Sequence, residues 1–180
     1  MILAETPLAG AYIVEPEPIA DVRGHFARIF DAELFAARGL DARVAQCNTS
    51  FNARAGTLRG MHYQADPHGE AKLIRVMRGA IHDVIVDLRP GSPTFRRSFG
   101  VQLDAETGRA LYVPVGFAHG FQTLADDTEV LYSMSYHYVP EAARGVRYDD
   151  PAFAIDWPDP PAGGRIVSER DLAFADFVAP

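Results

Sequence analysis

Short runs in which apolar and polar residues alternate dominate this chain, and they predict strands. The strongest is Ala80-Ile81-His82-Asp83-Val84-Ile85-Val86-Asp87-Leu88, which stops at the turn signal Arg89-Pro90-Gly91-Ser92-Pro93. Lys72–Met77, Phe95–Leu103, Ala110–Val113 and Thr128–Tyr138 are further strand candidates, each bounded by Gly, Pro or Asp. One helix is predicted, from Asp31 to about Arg38. Asp31 serves as N-cap, Leu34 and Phe35 supply an apolar patch, and Gly39 is a stop. Many short strands with a single short helix predict an all-β fold, a β-sandwich or jelly roll. The last forty residues are rich in Pro and poor in periodicity, so they are expected to wrap the barrel as irregular, ordered chain. No repeat, linker or low-complexity segment interrupts the pattern, and residues 1–180 read as one domain.

Gly56-Thr57-Leu58-Arg59-Gly60-Met61-His62-Tyr63-Gln64 reads as a strand that follows a Gly turn. Strict alternation sends Leu58, Gly60 and His62 to one face and Arg59, Met61 and Tyr63 to the other. A titratable His beside a cationic Arg suits removal of a proton next to an anionic ligand. Charge narrows the partners: the net charge of −7, with no basic block, argues against nonspecific nucleic-acid binding. The lone Cys47 excludes an intrachain disulfide and a cysteine-rich zinc site. No apolar stretch is long enough to span a bilayer and no signal-peptide pattern opens the chain, so a cytoplasmic protein is expected.

A second stretch carries chemistry. Gly108, five residues, Pro114-x-Gly116, two residues and His119 match the second half of the cupin jelly-roll motif. There a tight Pro-Gly turn aims the His into the barrel. The first half of that motif has two His and a Glu as metal ligands; here His62 and Glu70 could fill two places, but Gln64 occupies the third. A His62, Glu70 and His119 facial site is geometrically conceivable, and a metal-dependent cupin stands as an alternative to the metal-free reading.

The order of motifs resembles a specific family. Arg23-Gly24-x-Phe26, Gln46-x-Asn48-x-Ser50, Gly-Thr-Leu-Arg-Gly-Met-His-Tyr-Gln and Lys72-Leu73-Ile74-Arg75-Val76 come first. Asp83-x-x-Val86-Asp87-x-Arg89, Gly116-Phe117-Ala118-His119-Gly120-Phe121, Tyr132 and Ser168-Glu169-Arg170-Asp171 follow. Together they look like the dTDP-4-dehydrorhamnose 3,5-epimerases, metal-independent cupins of rhamnose biosynthesis. In a nucleotide-linked 4-keto-6-deoxyhexose the C4 carbonyl acidifies the protons on C3 and C5. Inversion therefore needs a base on one face, an acid on the other, a cation near O4 and an anion clamp.

The resemblance implies His62 as base, oriented by Asp171, with Tyr132 as acid and Lys72 beside the enolate oxygen. It implies Arg59 and Arg23 at the diphosphate. Gln46, Asn48 and His119 would line the sugar pocket, and Phe26 and Phe121 would wall it. Asp83, on a strand next to that of Lys72, is expected to orient the ammonium. Tyr138 is a substitute for the acid or a second wall. The implied partners are a nucleotide-diphosphate sugar and a second copy in a homodimer, with no cofactor, metal, nucleic acid or membrane. Arg28 stands where these enzymes carry Glu near the nucleotide, which leaves the nucleotide open. An epimerase acting at C3 or C5 alone on another nucleotide sugar, and a sugar-binding cupin without catalysis, are the remaining alternatives.

Overall fold

Two antiparallel sheets face each other across one apolar interior in the computed structural model, which describes residues 1–179. The first sheet has the order β1 (Ile2–Glu5), β2 (Tyr12–Glu15), β10 (Ala110–Val113), β7 (Lys72–Arg78), β12 (Thr128–Met134), β5 (Gln46–Asn52). The second runs β13 (Ala143–Gly145), β6 (Thr57–Gln64), β11 (Phe117–Thr123), β8 (Ala80–Asp87), β9 (Ser98–Asp104). A two-residue strand, β14 (Ile166–Val167), lies parallel to the start of β6. A separate hairpin pairs β3 (Ile19–Asp21) with β4 (Gly24–Phe26). This is the all-β jelly roll that the alternation predicts.

Alternation also decides which residues reach the interior. Ile74 and Val76 of β7, Leu111 and Val113 of β10, Ile81 and Ile85 of β8, Phe117 and Phe121 of β11 and Val130 of β12 form the core between the sheets. The intervening residues of these strands pack outward. Ala110 and Tyr112 meet Phe35 of α1 (Ala32–Ala37), while Val84, Val86 and Ala118 are covered by Val146 and Phe153 of the C-terminal segment. The helix forms as expected: the Asp31 carboxylate accepts from the Glu33 and Leu34 amides at 3.1 and 3.2 Å, and the chain leaves through Gly39 at φ +70°.

Three expectations are corrected. The C-terminal region is more regular than its sequence suggests, holding β13, β14, a 3₁₀ turn at Pro140–Ala142 and a second helix, α2 (Glu169–Leu172), capped by Ser168. The strand expected at Phe95 starts at Ser98, because Ser92 to Arg97 fold into turns around Asp87. The strand expected to reach Tyr138 ends at Met134. Among the described residues no helix is long and apolar enough to cross a membrane.

Candidate active site

The inner faces of the two sheets part at one end to leave a cavity of about 300 Å³, within the size range of small-molecule sites. Register places its lining. On the first sheet Asn48 of β5, Tyr132 of β12 and Ile74 of β7 stand directly opposite one another, with Gln46, Met134 and Lys72 as the next row. On the second sheet His62 of β6 pairs with His119 of β11, and Arg59 pairs with Phe121. Asn48, Ser50, Lys72, Tyr132 and Met134 thus face Arg59, His62, His119 and Phe121 across the cavity.

Strict alternation would have put Arg59 and His62 on opposite faces. The register on β6 corrects it: from Phe121 to His119 is two steps on β11, whereas from Arg59 to His62 is three on β6. The extra residue is a bulge at Gly60–Met61, and it turns both side chains inward. Met61 goes the other way, fully buried under the C-terminal segment. Gly60 adopts φ +135°, and a Cβ there would stand 2.5 Å from the Gly120 Cα, so only glycine fits the crossing.

Two histidines in the cavity are each backed by a buried carboxylate. His62 Nε2 lies 2.7 Å from Asp171 Oδ1, and the Gly60 amide donates to Asp171 Oδ2 at 3.2 Å. With Nε2–H donated to Asp171, the Nδ1 lone pair is left for the cavity. His62 is 40% exposed, whereas Asp171 is nearly sealed. Burial pushes the Asp171 carboxyl up, but the bonds from His62, Gly60 and Ser168 outweigh it and hold the group below its usual range. His119 Nε2 lies 2.6 Å from Asp83 Oδ1 in a wholly buried pair. The expectation that Asp83 orients Lys72 is thereby overturned, since β7 and β8 follow each other in sequence but belong to different sheets. Lys72 Nζ instead meets Glu70 Oε1 at 3.1 Å and donates to the His62 carbonyl at 3.2 Å.

Tyr132 lies between these groups, with its ring 6.2 Å from that of His119 and 6.4 Å from that of Phe121. Burial, reinforced by the Asp83 carboxylate, raises its phenol well above the ordinary value, against smaller pulls from Ser50 and Arg59. The group therefore keeps its proton at neutral pH. Tyr138 is half exposed at the rim, where its amide donates to Gln46 Oε1. Gln46 thus reaches the site through Tyr138 and is not itself part of the cavity lining.

A model of the dTDP-4-dehydrorhamnose 3,5-epimerase family matches residues 5–178. A protein of that name from Methanothermobacter thermautotrophicus is 45% identical over 93% of this chain and 89% of its own length. The chain belongs to the dTDP-4-dehydrorhamnose 3,5-epimerase family. A Streptomyces niveus relative described as dTDP-4-dehydrorhamnose 3-epimerase is 40% identical over 95% of this chain and 81% of its own. The Bacillus anthracis epimerase, whose crystal structure has TDP and PPi bound, superposes with a TM-score of 0.91 at 40% identity, covering 98% of this chain and 99% of that one.

Two residues that the epimerase resemblance placed at the substrate are elsewhere in this chain. Arg23 is exposed on the β3–β4 hairpin and ion-paired with Asp21, and Phe26 is 73% exposed; neither lines the cavity of His62. Arg28, the departure from the epimerase pattern, bridges to the helix cap Asp31 at 2.7 Å, beside Phe26. The metal set fares no better. Among the described residues no three His, Cys, Asp or Glu side chains gather to hold an ion, and Glu70 is committed to Lys72.

Several lining residues carry no substrate role in their sequence pattern, and Glu70 stands there only as a candidate metal ligand. Ser50, Arg144 and Arg170 border the cavity, and Glu70 enters it as the partner of Lys72. Glu70-x-Lys72 was a usable signal, because a spacing of two puts both on one face of extended chain. Arg170, next to Asp171, was another.

Proposed function

We propose that this chain inverts C3 and C5 of a nucleotide-diphospho-4-keto-6-deoxyhexose, taking dTDP-4-dehydro-6-deoxy-D-glucose to dTDP-4-dehydro-L-rhamnose. The observation that carries the reading is that His62, on the second sheet and backed by Asp171 of α2, faces a protonated Tyr132 on the first sheet across one cavity. His62 Nδ1 takes the proton from the carbon next to the C4 carbonyl, and Asp171 holds the ring as it becomes imidazolium. The electron pair moves onto O4, where the Lys72 ammonium stabilises the enolate. Tyr132 delivers its proton to the opposite face of the same carbon, so the centre inverts. The proton gained by His62 and the one lost by Tyr132 are then exchanged with solvent, which reaches the half-open His62. His119, held by Asp83, with Asn48 and Phe121, contacts the sugar, and Arg59 takes the diphosphate. No net oxidation occurs, so no redox cofactor enters the scheme, and the positive charge at O4 is supplied by Lys72.

A second reading, inversion at one carbon only, is favoured by the Streptomyces niveus relative described as a 3-epimerase. The acid and base would be unchanged. NMR of dTDP-4-keto-6-deoxyglucose with the protein in deuterated water separates the two. Deuterium at both C3 and C5 is the expected result; deuterium at one carbon supports the second reading; none at either overturns both.

We also infer a cytoplasmic homodimer. Arg23 and Phe26 sit on an exposed hairpin with Ile19 and Val22, and Phe51 is half exposed on the open edge of β5. Pairing of copies would cover these groups and bring Arg23 and Phe26 against the partner's cavity, and the unpaired Cys47 suits a reducing compartment. Light scattering on the same preparation is expected to give twice the 19.7 kDa of the chain; a monomer would remove this part of the reading.

A further inference from the structure

The carboxylate of the His62–Asp171 pair does not come from the jelly roll. It is delivered by a strap near the C-terminus. The Ile166 amide donates to the Gly56 carbonyl at 2.9 Å, Val167 pairs with Leu58, Ser168 caps α2, and Asp171 then meets His62. Beyond it Phe174 lies against Gly145, where a Cβ would come within 2.3 Å of the ring, and edge-on to His62 at 6.1 Å. A four-residue helix has no stability of its own, because the cost of nucleating it exceeds what so few bonds return. The position of Asp171, and with it the tautomer of His62, therefore depends on how firmly the strap is docked.

The strap carries one cation toward the cavity. Arg170 is exposed at the rim, lines the same cavity as Arg59 and Arg144, and enters no ion pair among the described residues. Arg165, on the same segment, is by contrast committed to Gln122 and the Pro158 carbonyl. Arg59 belongs to β6, the strand of His62, and Asn52 fixes its Nε at 2.7 Å. An anion held between Arg59 and Arg170 would fasten the strap to the strand that bears the base.

We infer that Arg170 is a positioning residue that couples diphosphate binding to assembly of the His62–Asp171 pair; this rests on the function proposed above. Binding energy from a group remote from the reacting carbons is used to set the base, so the coupling acts on kcat as well as on KM. By linkage the docked strap also binds the diphosphate more tightly.

Wild type, Arg170→Ala and Arg170→Lys are compared by steady-state kinetics, by ¹⁵N NMR of the His62 ring and by hydrogen exchange of residues 166–174, with and without dTDP. Arg170→Ala is expected to lower kcat about tenfold besides raising KM, and Arg170→Lys to recover part of kcat. In wild type, dTDP should protect the strap and drive His62 to the Nε2–H form; in Arg170→Ala both responses should vanish. A rise in KM alone, with kcat and the His62 response intact, would overturn the coupling, as would a wild type that shows no response to dTDP. If wild type responds to dTDP but exchanges no sugar proton, the function fails while the coupling stands.

Discussion

His62 and Asp171 divide one task between an accessible ring and a sealed carboxylate. Replacing Asp171 by Asn leaves volume and burial alike but removes the charge that favours imidazolium and allows the wrong tautomer. Asp171→Asn and His62→Asn are therefore each expected to cut kcat by about 10²- to 10⁴-fold with far smaller changes in KM. Steady-state rates read this, beside circular dichroism to show an unchanged fold. A folded His62→Asn variant with wild-type exchange would remove the base. The reverse logic covers Tyr132, where burial and Asp83 keep the phenol protonated so that it can act as an acid. The residue types were legible in the sequence, but one partnership was not. Asp83 and Lys72 are close along the chain, yet β7 and β8 enter different sheets, and the carboxylate meets His119 instead. Proximity in sequence says nothing about which sheet a strand joins.

The bulge in β6 is the element that makes a site out of a strand. Alternation alone parts Arg59 from His62; one extra residue at Gly60–Met61 reunites them. Gly60→Ala forces a Cβ against the Gly120 Cα at 2.5 Å and a positive φ on a residue that disfavours it. It is expected to destabilise the protein by about 2–4 kcal/mol, read by denaturant unfolding, and to reduce activity by misplacing Arg59 and His62. Gly91→Ala, with open space around it, serves as the near-neutral control. Equal stability of the two variants would show that the crossing tolerates a side chain. The same contrast explains what else was readable. β7, β8, β10 and β12 declare themselves because one face of each is the common core. β3, β4 and β5 are short or lie at an edge, mostly exposed, and so carry little pattern. β14 and α2 owe their order to docking on β6, a cause that local periodicity cannot record.

At the scale of the molecule, Asp87 links parts that lie far apart in the chain. Its carboxylate, fully buried at the end of β8, accepts from the Arg89 guanidinium and from the hydroxyls of Ser92 and Thr94. Arg89 in turn donates to the Ala9 carbonyl in the β1–β2 connection and stacks 4.5 Å over Phe117. Burial alone would raise the Asp87 pKa, but Arg89, Ser92 and Thr94 prevail and lower it from 3.8 to about 2. A carboxyl depressed in the folded state binds fewer protons there than in the unfolded chain. Its contribution is complete above the unfolded value near 3.8 and is lost as pH falls toward the folded value near 2. The shift corresponds to about 2 kcal/mol. Acid also carries the chain through its isoelectric point near 5.3 to a large net positive charge, whose repulsion destabilises the fold as well, so wild type alone cannot isolate the term. Asp87→Asn carries nearly the same background charge and removes only this titration. Urea unfolding from pH 7 to pH 2 is expected to show the variant less stable at neutral pH, with the gap narrowing by about 2 kcal/mol at the acid end. Parallel curves across that range would mean that the clamp is held by its hydrogen bonds whatever the charge on Asp87.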